Sequence, residues 1–199
     1  MFEISCLSKS FGEKKVLKKL SLKVRDKGVV VTGDIGTGKT TLFEILSGED
    51  REYEGFFTKF DSSRIGYLVQ NNEEIFFHNT VREELSESSD KGIFKLKDLL
   101  EFFNIDKKIL DTDPFELPRS LQKIISIIIT ITQDKDLFLL DEPDSSLSLD
   151  ILIKISNLLK ELSKERVVFI ISHSNFFIDM LDFDLVRLGK NGDWCLEKA

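Results

Sequence analysis

Eight consecutive residues, Gly33-Asp34-Ile35-Gly36-Thr37-Gly38-Lys39-Thr40, fit the pattern G-x-x-x-x-G-K-[ST] at every fixed position. The chemistry such a pattern performs is the cradling of a polyphosphate. Gly33, Gly36 and Gly38 permit backbone angles that a side chain blocks, and they let amide N–H groups close on phosphate oxygens. A helix opening at Lys39 adds unpaired N–H groups and the positive end of its dipole. Lys39 reaches the β- and γ-phosphates as a point charge, and the Thr40 hydroxyl is placed to ligate Mg²⁺. Val29 to Thr32 ahead of the loop read as a short buried strand, and Thr41 to Leu46 behind it space their apolar residues as a helix does. A glycine-rich turn that merely joined strand to helix would not need all eight positions in register with both flanks correct.

The elements that must position this loop follow in order. Phe2 to Leu7 and Leu20 to Val24 alternate as strands, with Phe11 to Lys15 as the turn between them. Gly55 to Lys59 is a weak strand, and Arg64 to Val69 a better one that ends at Gln70. Leu137 to Leu140 is a buried strand ending in Asp141-Glu142, and Val167 to Ile171 is another, ending at Ser172-His173. A helix spans roughly Ile151 to Leu162 and another lies near Phe176 to Leu181. The tail reads as a terminal hairpin turning at Asn191-Gly192. Strands alternating with helices predict an α/β fold with a parallel sheet. Ligands of such sheets sit beyond the carboxyl ends of strands, where Gly33, Gln70, Asp141 and His173 all fall.

From Asn71 to about Leu117 the chain is polar and helical in period, with candidate helices at Val81 to Leu85, Lys95 to Phe103 and Asp106 to Leu110. This is read as an inserted helical subdomain, 71–120, within a single domain of 199 residues. Leu121 to Thr132 is nearly continuous isoleucine and threonine. Propensity says strand; length says buried helix, and helix is the expectation.

The formal net charge of −7 argues against nucleic-acid binding, because no basic stripe is available to neutralise phosphates. Cys6 and Cys195 stand near opposite ends without metal spacing, which suits a reducing cytoplasm. No signal-peptide core opens the chain, and the longest apolar run, Ile124 to Ile131, is too short to span a bilayer. Work at a membrane would need other subunits to hold the protein there. The seventeen phenylalanines, several in pairs such as Phe76-Phe77 and Phe176-Phe177, read as core filler, and His78 as a surface residue.

These pieces, in this order, resemble the ATP-binding cassette (ABC) ATPase domain over essentially the whole chain. The resemblance implies a P-loop NTPase core with an N-terminal antiparallel β portion and an inserted helical subdomain. It implies that Phe11 stacks on adenine with Val16 beside it, and that Gly33 to Thr41 bind the phosphates of ATP. It places Gln70 against Mg²⁺ and the attacking water, Asp141 in the Mg²⁺ shell, Glu142 as general base and His173 against the γ-phosphate. The activity implied is ATP hydrolysis coupled to transport, on the inner face of the cell membrane, with transmembrane subunits as partners.

The family works as face-to-face dimers in which a Leu-Ser-Gly-Gly-Gln signature closes over the other subunit's ATP. Counting back from Asp141 by the usual spacing lands on Leu117-Pro118-Arg119-Ser120-Leu121. Only the leucine matches. Pro118 removes a hydroxyl and an N–H donor, and Arg119 stands where backbone should approach phosphate. Ser120 and Arg119 offer two routes of partial compensation. Ser145-Ser146-Leu147-Ser148 likewise departs from Ser-Ala-Leu-Asp, with Asp150 two positions on. A heterodimer with a second cassette follows as the expectation. The segment Gln70 to Glu84, with Thr80-Val81-Arg82-Glu83 near its end, looks like that of energy-coupling factor ATPases of vitamin and metal-ion uptake, although Asn72 replaces their proline. A small exporter ATPase, a regulatory nucleotide-binding subunit and a soluble ABC protein of repair or translation are the rivals.

Overall fold

Strand β6 (Leu137–Asp141) is buried on both faces, and its side chains divide the molecule. Leu137 and Leu139 enter one core, Phe138 and Leu140 the other. Such two-sided burial is what makes a parallel strand a continuous apolar run. The computed structural model describes residues 1–25, 28–71, 75–86 and 92–198. Among them, β5 (Ile65–Leu68), β6, β7 (Val167–Ile171), β3 (Val29–Gly33), β8 (Asp184–Leu188) and β9 (Trp194–Glu197) form one sheet in that spatial order. All neighbours are parallel except the last pair. A second, antiparallel sheet has the order β2 (Lys14–Val24), β1 (Phe2–Phe11), β4 (Glu54–Phe57).

The smaller sheet and α1 (Lys39–Ser47) bury Phe2, Ile4, Leu42 and Phe43 against one face of the large sheet. The other face is covered by α4 (Arg119–Ile131), α5 (Leu149–Glu165) and α6 (Asn175–Leu181), with α2 (Val81–Ser86) and α3 (Leu96–Phe102) beyond them. The insertion between β5 and β6 is therefore helical, as expected.

Helix α4 is the isoleucine-rich stretch, and every residue from Gln122 to Ile131 is buried. Its hydroxyls cause no conflict. Ser126, Thr130 and Thr132 donate to the carbonyls of Gln122, Ser126 and Ile128, each at 2.8 Å. Burial on every side overrides the β preference of the residue types.

Four readings of local structure are corrected. The turn between β1 and β2 is only Gly12-Glu13, because Phe11 pairs directly with Lys14 and both strands run further than their alternation suggests. Asp106 to Leu110 does not form an α-helix; Lys107–Asp111 is a 3₁₀ turn capped by the Asp106 carboxylate. The terminal hairpin turns through Gly189 to Asp193, with Gly189 N–H donating to Asp193 O at 2.7 Å. Asn191 and Gly192 both adopt positive φ within it. The paired phenylalanines are split: Phe76 and Phe177 are buried, while Phe77 and Phe176 are exposed. His78 is half-buried, and its N–H donates to the Glu84 carboxylate. Residues 72–74, inside the Gln70 to Glu84 segment, lie outside the described residues.

Candidate active site

Strand β3 ends at Gly33 and α1 begins at Lys39, so the intervening loop must reverse tightly. Gly36 and Gly38 take φ of 77° and 98°, in the left-handed region where glycine is favoured. A Cβ on Gly38 would lie 2.4 Å from the Val16 side chain. Gly38 caps α1 without a side-chain hydrogen bond, which leaves the helix's first N–H groups for a ligand. Thr37 Oγ donates to Asp34 O at 2.8 Å and closes the loop on itself. Lys39 Nζ donates to the carbonyls of Gly33 and Asp34, both at 2.9 Å. Burial lowers the Lys39 pKa, and the charges of Asp141, Glu142 and Asp34 oppose that shift. Ile35, at the tip, is fully exposed.

A cavity of about 340 Å³ lies over this loop, walled by Phe11 and Val16 on one side and Gly36, Gly38, Thr40 and Thr41 on the other. The β1–β2 hairpin supplies Phe11 and also Lys14, whose charge at this cavity was not anticipated from its place in a turn. Phe11 is exposed, and Lys9 Nζ lies 4.7 Å from its ring centroid. Hollows of about 410 Å³ beside Tyr53 and about 500 Å³ beside Leu100 carry none of the phosphate-loop groups, and one of about 390 Å³ beside Trp194 takes only Gly33 and Asp34.

The strand order puts the ends of β5, β6, β7 and β3 side by side. Gln70, Asp141-Glu142, His173 and the loop therefore share one edge of the sheet. Asp141 is 5% exposed. Burial, and then the Glu142 charge, push its carboxyl up to about 6, against the pull of Lys123 and Lys39. Glu142 occupies a left-handed backbone conformation, φ 47°, and its N–H donates to Ile171 O at 2.9 Å. His173 Nε2 stands 3.7 Å from Glu142 Oε1. Gln70 is exposed at the end of the edge strand and does not line the loop cavity.

The model of the family described as "ABC transporter" matches residues 17–145, about two thirds of the chain. The chain belongs to the ABC transporter family. It is an ATPase domain of the P-loop kind. A putative ABC transporter ATP-binding protein of Clostridium tetani is 28% identical over 180 residues, covering 82% of this chain and 41% of its own length. The zinc import ATP-binding protein ZnuC of a Wolbachia of Brugia malayi is 25% identical over 186 residues, covering 88% of this chain and 73% of its own. The fold matches the dimeric structure of a bacterial ABC transporter cassette with a TM-score of 0.81 at 19% identity, covering all of this chain and 98% of that one. The family match ends before His173 and begins after Phe11 and Val16.

Within this cassette, Leu117 is buried and Pro118 caps α4, while Arg119 and Ser120 are exposed and Leu121 is half-buried. Gln122 fixes the approach to that cap: its amide donates to Pro114 O and Leu117 O, both at 3.1 Å. Asp150 is exposed in the first turn of α5.

The sequence reading missed two charged groups near the carboxylates. Lys123, on α4, is 1% exposed, and burial lowers its pKa against the opposing charges of Glu142, Asp141 and Asp144. Burial raises that of Asp144, whose Oδ2 accepts from Ser172 Oγ at 2.9 Å. The one local signal for Lys123 was a lysine inside an otherwise apolar run. Among the described residues, no helix is long and apolar enough to cross a membrane.

Proposed function

We propose that this chain binds and hydrolyses ATP as one nucleotide-binding subunit of an ABC transporter, driving movement through separate membrane subunits that hold it at the inner face of the membrane. The observation that carries the reading is the adjacency of four strand ends: the Lys39 loop, Asp141-Glu142, His173 and Gln70. The glycine cradle fits polyphosphate, since a Cβ on Gly38 would strike Val16. Phe11, exposed and lining the cavity with Lys9 Nζ over its ring, is the aromatic offered to adenine.

Thr40, Gln70 and Asp141 offer oxygen donors of the kind Mg²⁺ takes alongside water and phosphate. When bound, Mg²⁺ neutralises charge on the phosphate oxygens. Glu142 orients and deprotonates a water for in-line attack on the γ-phosphorus. Lys39 and His173 steady the γ-phosphate charge. Positioning and electrostatics do most of the catalysis.

The exposed pair Pro118-Arg119 supports a division of labour. A partner cassette with an intact signature completes the site built here. This chain's altered signature, Leu117 to Leu121, faces the partner's ATP and leaves that second site slow. Loss of an oxyanion-type donor typically costs about 100- to 1,000-fold in rate. The segment from Gln70 to Glu84 and the zinc-import relative support uptake of a metal ion or vitamin, with export as the alternative.

A second reading, a nucleotide-binding subunit with little turnover, is favoured by the same Pro118. A steady-state ATPase assay separates the two. The isolated chain is expected to be nearly inactive, and adding a cassette with an intact signature restores one site per dimer. Changing Pro118-Arg119 to Ser-Gly gives the isolated chain activity. Robust activity of the unmodified chain with no gain from that change would sink the asymmetric reading. Inactivity under every condition would favour the regulatory one.

A further inference from the structure

We propose that Lys123 and Asp144 act as a buried positioning pair that ties the start of α4 to the turn carrying Glu142 and, through Ser172, to His173. Among the described residues, the buried side-chain polar atoms without a hydrogen-bond partner are Lys123 Nζ and Asp144 Oδ1. One is a cationic donor and the other an anionic acceptor. They belong to one charge cluster, in which Lys123 feels Glu142 first, then Asp141 and Asp144, and Asp144 feels Lys123 in turn. A buried ammonium and a buried carboxylate oxygen without partners are each costly, and each is what the other lacks.

The connections on either side give the pair a task. Asp144 lies two residues beyond Glu142, in a turn held by Ser145 N–H and Oγ donating to Glu142 O at 3.3 and 3.1 Å. Its other oxygen accepts from Ser172, which is wholly buried and adjoins His173. Ser172 Oγ in turn accepts from Ser174 N–H at 3.1 Å, which fixes the backbone around the histidine. On the far side, Lys123 sits one turn into the helix that opens at Pro118-Arg119. The structure leaves the two atoms unjoined, and the proposed pair forms when a shift of α4 toward the turn brings them together. The strain-bearing backbone of Glu142, φ 47°, is then held from three sides.

The catalytic consequence rests on the reading that a partner cassette closes over Pro118-Arg119. On that reading, partner contact at the helix start is transmitted to the general base and the histidine, and does not pass through the phosphate loop. Lys123 and Asp144 are thus positioning residues, acting through the Glu142 turn and, by way of Ser172, the backbone at His173.

The test is a double-mutant cycle with Lys123→Met and Asp144→Asn, read two ways on the full chain. In the ATPase assay with a partner cassette, each single variant is expected to lose about tenfold or more in kcat while ATP affinity stays within about twofold. The double variant should be no worse than the poorer single. In thermal unfolding of the isolated chain, Lys123→Met should melt lower because it strands Asp144, and the added Asp144→Asn should recover part of that loss. Additive losses in both readouts would overturn the pair and leave Lys123 as a general counter-charge. If Lys123→Met does not fold, the pair still requires the double variant to fold, and a double that fails as well overturns it. Absence of any ATPase activity in the wild-type chain with its partner would count against the hydrolytic reading, while the unfolding cycle would still decide the pair.

Discussion

His173 Nε2 lies 3.7 Å from Glu142 Oε1, across the adjacent ends of β7 and β6. That is too long for a direct hydrogen bond, and it keeps the carboxylate from being tied down by the imidazole. Glu142 owes its place to backbone contacts: its N–H reaches Ile171 O, and its carbonyl accepts from Ser145. The side chain is therefore aimed by the turn and stays available for a water.

From this follows a separation of binding and turnover. Glu142→Gln keeps the shape and the backbone bonds and removes only the base. ATP affinity should remain near the wild-type value, while kcat with a partner cassette falls by about 100- to 10,000-fold, and ATP should trap the dimer. Rapid hydrolysis by this variant would remove Glu142 from the role of base.

Lys39 directs its ammonium into the loop, through bonds to Gly33 O and Asp34 O. Lys39→Ala should leave the fold intact and abolish measurable Mg-ATP binding, a loss of at least about 100-fold in affinity. Calorimetry is the check, and unchanged affinity would refute the assignment of Gly33 to Thr41.

Asp141 makes a prediction about stability and pH. Its folded carboxyl titrates at about 6, above the ordinary 3.8, because burial and Glu142 disfavour its charge. The folded chain thus binds this proton more tightly than the unfolded one. The stability it contributes is present below 3.8 and is lost as pH rises through about 6. Without nucleotide and metal, Asp141→Asn should be more stable than wild type above that pH by up to about 3 kcal/mol. The advantage should shrink toward zero at the acid end. Urea unfolding at several pH values measures it, and a variant less stable at pH 7 would contradict the assigned direction.

The phosphate loop, the alternating strands and helices, and the acidic end of β6 could all be read directly, because each depends on local pattern. A glycine that needs positive φ, an apolar run that must be buried and a carboxylate pair after it are properties of a few neighbouring residues. The side-by-side arrangement of Gln70, Asp141, His173 and Gly33 was different. The sheet order β5-β6-β7-β3 does not follow the chain, and only long-range pairing makes these strand ends neighbours. Helix α4 was legible from the length of its apolar run, and burial is the reason it overrides the strand preference of isoleucine and threonine. The fate of each phenylalanine in a pair depended on which face of its element met a core. Lys123 is the clearest case. Along the chain its one mark is a lysine set in an apolar run, and that does not say which way it points. Packing turned it inward toward the carboxylates of Glu142, Asp141 and Asp144, because charge complementarity inside a fold exists only once the fold has brought distant residues together.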